Sequence, residues 1–188
     1  MSNELTYTVF AGSRQIAAGE LLNVLSVAHT AFHTHHQQDA PILFFRNDTG
    51  RQVEFDLSGE LDDLLQRFAP EQPKKGPGRP RMGVQCGEVC LLPRHWEWLE
   101  RRPKRASATL RLLVEQAMKN MSPEERVQER VEAVHSVMWV LAGDRVGFEE
   151  ASRALYAQKW EIFHRLIAPW PEDIVTHLQR MLNDVPRT

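Results

Sequence analysis

The chain has 188 residues, 42% hydrophobic and 26% charged. That suits one globular domain or two small ones, with enough apolar content to bury a core without disulfides or metal. No apolar run approaches the ~18 residues of a membrane span, and the opening MSNELTYTVFAGSRQ lacks the basic and apolar regions of a secretory signal. Cys86 and Cys90 are the two cysteines; four positions apart they make no disulfide framework, so a reducing cytosol is expected. The net charge of −2 conceals an asymmetry. Residues 1–73 hold four Lys/Arg against ten Asp/Glu, residues 74–120 hold eleven against four, and residues 121–188 hold eight against eleven. A basic middle between acidic flanks either docks on those flanks or meets a polyanion.

In chain order, LTYTVF at 5–10 is β-prone. Ala11-Gly12-Ser13 is turn-like, and RQIAAG supplies a returning strand. From Glu20 to about His33, Leu21, Leu22, Leu25, Ala28, His29 and Phe32 recur at helical spacing. ILFFRN and RQVEFDL flank Asp48-Thr49-Gly50, a short turn with the glycine a hairpin favours. In the second strand Val53, Phe55 and Leu57 alternate with Gln52, Glu54 and Asp56, predicting one buried and one wet face. Ser58 is placed to cap a helix running to about Phe68. The first segment, 1–69, is therefore expected to be a small ββαββα unit, and the fold class α+β.

Residues 70–82, PEQPKKGPGRPRM, contain four prolines and no periodicity, the composition of a linker. Within it stand Lys74, Lys75, Arg79 and Arg81. Its Gly-Arg-Pro core, flanked by cations, resembles an AT-hook. Such an extended backbone is thin enough for the minor groove, arginine is drawn to the negative potential of A·T-rich DNA, and proline limits the entropy lost on binding. Pro77 stands where the best-known hooks carry another arginine. The competing reading is a solvated basic linker.

Residues 83–120 predict strand, helix, turn and helix. VQCGEVCLLP is β-prone, Pro93 opens a helix through RHWEWLERR, Pro103 ends it, and Ser107 is placed to cap a second helix over about 108–119. Leu110, Leu113, Val114 and Ala117 share one face of that second helix. The unit resembles the ribbon-helix-helix fold of small bacterial repressors, in which two chains pair their strands in the major groove. Where that fold carries polar reading residues, this chain has Val89 and Leu91, which offer base edges little beyond contact with thymine methyls. Arg101, Arg102, Lys104 and Arg105 form a second basic cluster, and Arg94 opens the preceding helix. With Ser107 they are the candidate phosphate contacts, set against a plain solvated turn.

Residues 121–188 predict helices only: one from Ser122-Pro123-Glu124-Glu125 to Gly143 with Val127, Val131, Val134, Met138 and Leu141 as its stripe, then 148–157, 159–167 and 172–182. His29, His33 and His36 share a helical face, yet no carboxylate or cysteine stands at ligand spacing, so no metal is expected. Cys86 and Cys90 are expected to be buried small hydrophobes. Trp96 and Trp98, two apart, cannot face the same core, which leaves one for an interface. No P-loop, GxSxG, HExxH or dinucleotide turn occurs, so neither catalysis nor a cofactor is expected.

YTVFAGSRQIAAG, NDTGRQVEFDL, GRPRMGVQCGEVCLLPRHWEWL, ASATLRLLVEQA and LAGDRVGFEEASRALYAQKWEIFHRLIAPWP together resemble the bacterial family called domain of unknown function 2239, from Tyr7 to about Leu182. The resemblance implies that these segments belong to one protein, and it carries no activity, substrate or cofactor. From the residues themselves the expectation is a cytosolic DNA-binding homodimer, with transcriptional regulation as its role, no membrane and no small-molecule substrate. The alternative is an adaptor whose basic segment meets an acidic protein surface. A third reading, an enzyme around His29, His33 and His36, is the weakest.

Overall fold

A computed structural model describes residues 5–34, 40–69 and 87–183. Among these residues the protein is a mixed α+β structure of eight helices and a four-stranded antiparallel sheet, the strands lying in the order β2-β1-β3-β4. The strands are β1 (Thr6–Ala11), β2 (Arg14–Glu20), β3 (Ile42–Arg46) and β4 (Gln52–Val53). The helices are α1 (Leu21–Thr34), α2 (Leu61–Phe68), α3 (Pro93–Glu100), α4 (Ala106–Lys119), α5 (Pro123–Ala142), α6 (Phe148–Tyr156), α7 (Trp160–Ile167) and α8 (Glu172–Asn183). They fall into two compact units. One comprises residues 1–70 and 123–188, the other 71–122. The acidic first and last segments, separate in the sequence reading, thus belong to one body.

That body is layered because its central strands are apolar on both faces. Along β1, Tyr7 and Val9 face one side and Thr8 and Phe10 the other; along β3, Phe44 and Phe45 divide in the same way. Tyr7, Val9 and Phe44 pack with Val24, Leu25 and Ala28 of α1 and Leu64 of α2. Phe10 and Phe45 pack with Val134 and Met138 of α5, Leu155 of α6, Phe163 of α7 and Ile174 and Leu178 of α8. The first hairpin has an irregular register between Val9 and Phe10.

β4 ends at Val53, earlier than the alternation of 51–57 predicts. The alternation itself holds beyond the ladder: Val53, Phe55 and Leu57 turn inward while Gln52, Glu54 and Asp56 are exposed. Ser58 does not cap α2, which begins later, at Leu61, and has no side-chain cap. The Ser58 hydroxyl donates instead to Asp56 Oδ1 at 2.6 Å. The turn between β3 and β4 is pinned on two sides. Asn47 Nδ2 donates to Thr6 Oγ1 at 3.0 Å, and Arg130 Nη1 of α5 donates to the Asn47 carbonyl at 3.2 Å.

Candidate nucleic-acid interface

The unit of α3 and α4 starts from the proline junction. Leu92 is extended and Pro93 takes the first helical turn of α3, where its missing N–H costs nothing. Arg101 closes the helix, its N–H donating to the Glu97 carbonyl at 3.3 Å while the Arg102 N–H donates to the Leu99 carbonyl at 3.1 Å. The chain then turns through 101–105, and Arg105 occupies the N-cap position of α4 in extended conformation. Its carbonyl accepts the N–H groups of Ala108 and Thr109 at 2.9 and 3.0 Å. Ser107 is therefore not the cap. α4 starts before it, no side chain caps the helix, and Ser107 lies exposed in the first turn.

This geometry gathers Arg101, Arg102, Lys104 and Arg105 into one short turn, all exposed. Arg94, also exposed, stands roughly 10 Å further along α3 at 1.5 Å per residue. Arg101 Nη2 lies 3.9 Å from Glu97 Oε2, a loose pair between exposed side chains, and worth little in water. Arg102 rests its guanidinium 3.8 Å from the centre of the Trp98 ring, which orders it while leaving its charge unneutralised. Arg94, Lys104 and Arg105 form no ion pair among the described residues. Such a turn can take phosphate oxygens; it has no acid or base constellation.

Lys74, Lys75, Arg79 and Arg81 lie outside the described residues, as do Cys86 and His36. Residues 87–92, the described part of the predicted strand, carry no ladder among the described residues. Cys90 is exposed, against the expectation of a buried small hydrophobe, because its segment joins neither of the two cores formed by the described residues. Trp96 and Trp98 are both partly exposed, at 40% and 42%. The rings of His29 and His33 lie 4.2 Å apart, tilted by 48°, and their Nε2 atoms face the carbonyls of Gly59 and Leu57 at 2.9 and 3.3 Å. They fasten α1 to the segment before α2. Among the described residues no group of three His, Cys, Asp or Glu is placed to hold a metal ion, and no helix is long and apolar enough to cross a membrane.

A second feature escaped the sequence reading. Trp139 and Val140 of α5 border a cleft of about 560 Å³ whose other wall is Gly12, Ser13, Pro41 and Leu43. Trp139 is 64% exposed and Val146 95%. His135, beside Tyr156, Phe148 and Trp139, is half-buried, and that burial holds its pKa below the ordinary histidine value. The available signal was that Trp139 falls off the stripe formed by Val131, Val134, Met138 and Leu141.

Fold and site together define an α+β protein in which an acidic, doubly covered sheet unit is joined to a basic helix pair. The chain belongs to the bacterial family described as an uncharacterized protein conserved in bacteria, domain of unknown function 2239, which matches residues 6–182. No curated protein and no solved structure matches it.

Proposed function

We propose that this protein is a non-enzymatic DNA-binding protein of the bacterial cytosol, acting as a homodimer in transcriptional regulation. The observation that carries the reading is the turn between α3 and α4, where Arg101, Arg102, Lys104 and Arg105 converge, exposed, with one loose acid partner among them. A cation cluster of this density neutralises phosphates and releases counterions. The Gly-Arg-Pro arm at 74–81 supplies the minor-groove element, and the ribbon-helix-helix resemblance of 83–120 supplies a reason for two copies. Nothing in Val89 or Leu91 favours base readout, so affinity rests on phosphates and groove shape.

A gel-shift salt series on duplex DNA tests the reading. Binding at low salt should fall with a log–log slope on the order of −4 if about five cations engage. Absence of a complex at micromolar protein and low salt sinks it. The adaptor reading draws support from a different place, the exposed Trp139 and Val146 beside the cleft, because exposed aromatic surface marks protein contacts.

A further inference from the structure

The two tryptophans of α3 are exposed to nearly the same degree, yet their surroundings differ. Three and four residues to either side of Trp96 stand Leu92, Pro93, Leu99 and Glu100. The same positions around Trp98 hold Arg94, His95, Arg101 and Arg102. Trp98 therefore sits in the row of basic side chains that leads into the turn before α4. Trp96, two residues away, projects from the other side of the helix. Arg102 rests 3.8 Å from the centre of the Trp98 ring, and 42% of Trp98 is still open to solvent. Glu97, beside Trp98 in sequence, is turned to Arg101 at 3.9 Å.

We infer that Trp98 is a stacking platform for an unpaired base, so that the turn between α3 and α4 takes DNA carrying single-stranded bases. This deepens the proposed function by naming the form of DNA at the same turn, and it rests on that reading's choice of site. In a duplex the base faces are hidden against one another, and only edges and phosphates are presented. An exposed indole suits neither: it has one N–H to donate and otherwise offers a π face. An unpaired nucleotide matches the whole arrangement, with a base face for the ring and phosphates for Arg94, Arg101 and Arg102. The guanidinium on Trp98 fits the same ligand, because bases stack on arginine planes as they do on aromatic rings. An apolar protein surface laid over Trp98 would strip water from these cations without pairing them. Val89 and Leu91, poor readers of base edges, are no obstacle to a ligand recognised through base faces.

Fluorescence anisotropy on the full chain, at one fixed salt concentration, compares three labelled probes. They are a blunt duplex, the same duplex with an oligo(dT) tail, and that duplex with an equally long tail of abasic sugars. The two tails carry the same phosphates and differ only in their bases. The oligo(dT) probe is expected to bind roughly 5- to 150-fold more tightly than the abasic one, the range for one stacked base. Trp98→Ala should abolish that ratio, and Trp98→Phe, which keeps an aromatic face, should restore a measurable part of it. Trp96→Ala should leave the ratio within about twofold. Circular dichroism checks that these exposed substitutions leave the helices intact. Equal binding of the two tails overturns the inference. So does a ratio that survives Trp98→Ala, that falls as far with Trp96→Ala, or that Trp98→Phe loses as completely as Trp98→Ala. The blunt duplex keeps the two readings apart. Duplex binding with no preference between the tails keeps the proposed function and removes the stacking site. A preference for oligo(dT) without blunt-duplex binding keeps the stacking site and removes the duplex reading, and no binding of any probe removes both.

Discussion

Gly50 lies against Ala133. The turn between β3 and β4 comes so close to α5 that a Cβ built on Gly50 would overlap the Ala133 carbonyl, and Gly50 itself has a φ of +65°. Both facts require glycine: the left-handed backbone costs other residues about 1 kcal/mol, and the helix backbone cannot give way as a flexible side chain would. Gly50→Ala is expected to lower the unfolding free energy by about 2–3 kcal/mol. A urea titration should show the midpoint falling with little change in slope. An unchanged midpoint would mean that the turn does not rest on α5 in solution.

The hairpin was legible as a hairpin from Asp48-Thr49-Gly50, but the second demand on Gly50 was not. It depends on α5, far along the chain, and no local pattern announces such a contact. Helices with a clean apolar period, such as α5 with Val127, Val131, Val134, Met138 and Leu141, lie close to where their spacing puts them. The errors concentrate at ends set by hydrogen bonds. Ser58 bonds Asp56 instead of capping α2, and Arg105 takes the cap position that Ser107 was expected to fill. Serine competes locally for several backbone and side-chain partners, so its role is underdetermined by type and position. The site divides likewise. The cations of 101–105 are visible as a sequence cluster, whereas the cleft beside Trp139 requires the first hairpin and α5 to meet.

His177 is 1% exposed on α8, against Phe10. Its Nδ1 accepts from Arg180 Nη2 at 2.9 Å, and Arg180 also donates to Gln15 Oε1. Nε2 has no partner among the described residues. Burial, with Arg180 adding a smaller push, lowers its pKa from 6.5 to about 4. The folded state therefore refuses a proton that the unfolded chain accepts. Stability is full above about pH 6.5, declines as pH falls toward 4, and levels off below; the loss from this group is on the order of 3 kcal/mol. Urea midpoints at pH 7 and 4.5 should differ accordingly, and His177→Phe, which keeps a ring against Phe10, should flatten the difference. An equal pH dependence in the variant would assign the loss to other groups, His135 among them.

Two tryptophans of the same unit should behave oppositely. Trp170 is 6% exposed and its indole N–H donates to the Val146 carbonyl at 3.1 Å. Removing it empties core volume and orphans an acceptor, so Trp170→Ala should cost about 3–5 kcal/mol. Trp139 is 64% exposed, and Trp139→Ala should change stability by no more than about 0.5 kcal/mol. Denaturant titrations of both variants check the contrast. A large loss at Trp139 would show that its ring supports the fold and would withdraw it as a free contact surface.

The two basic clusters can be told apart by what DNA they prefer. Arg101, Arg102 and Arg105 surround a helix–turn–helix junction and are exposed, so Arg101→Ala/Arg102→Ala/Arg105→Ala should fold normally. Arginines of that kind touch phosphates and are blind to sequence. The triple variant is therefore expected to bind A·T-rich and G·C-rich duplexes equally more weakly, with the salt slope shallower by about one for each arginine that no longer meets a phosphate. Arg79→Ala/Arg81→Ala removes the arginines of the Gly-Arg-Pro arm. If these enter a narrow minor groove, the double variant loses affinity mainly for the A·T-rich duplex, because the potential that attracts arginine is greatest there. Competition gel shifts with both duplexes at two salt concentrations separate the cases. Equal losses on both duplexes from the arm variant would reduce the arm to a second phosphate-binding element, and no loss from either variant would place any DNA surface away from these five arginines.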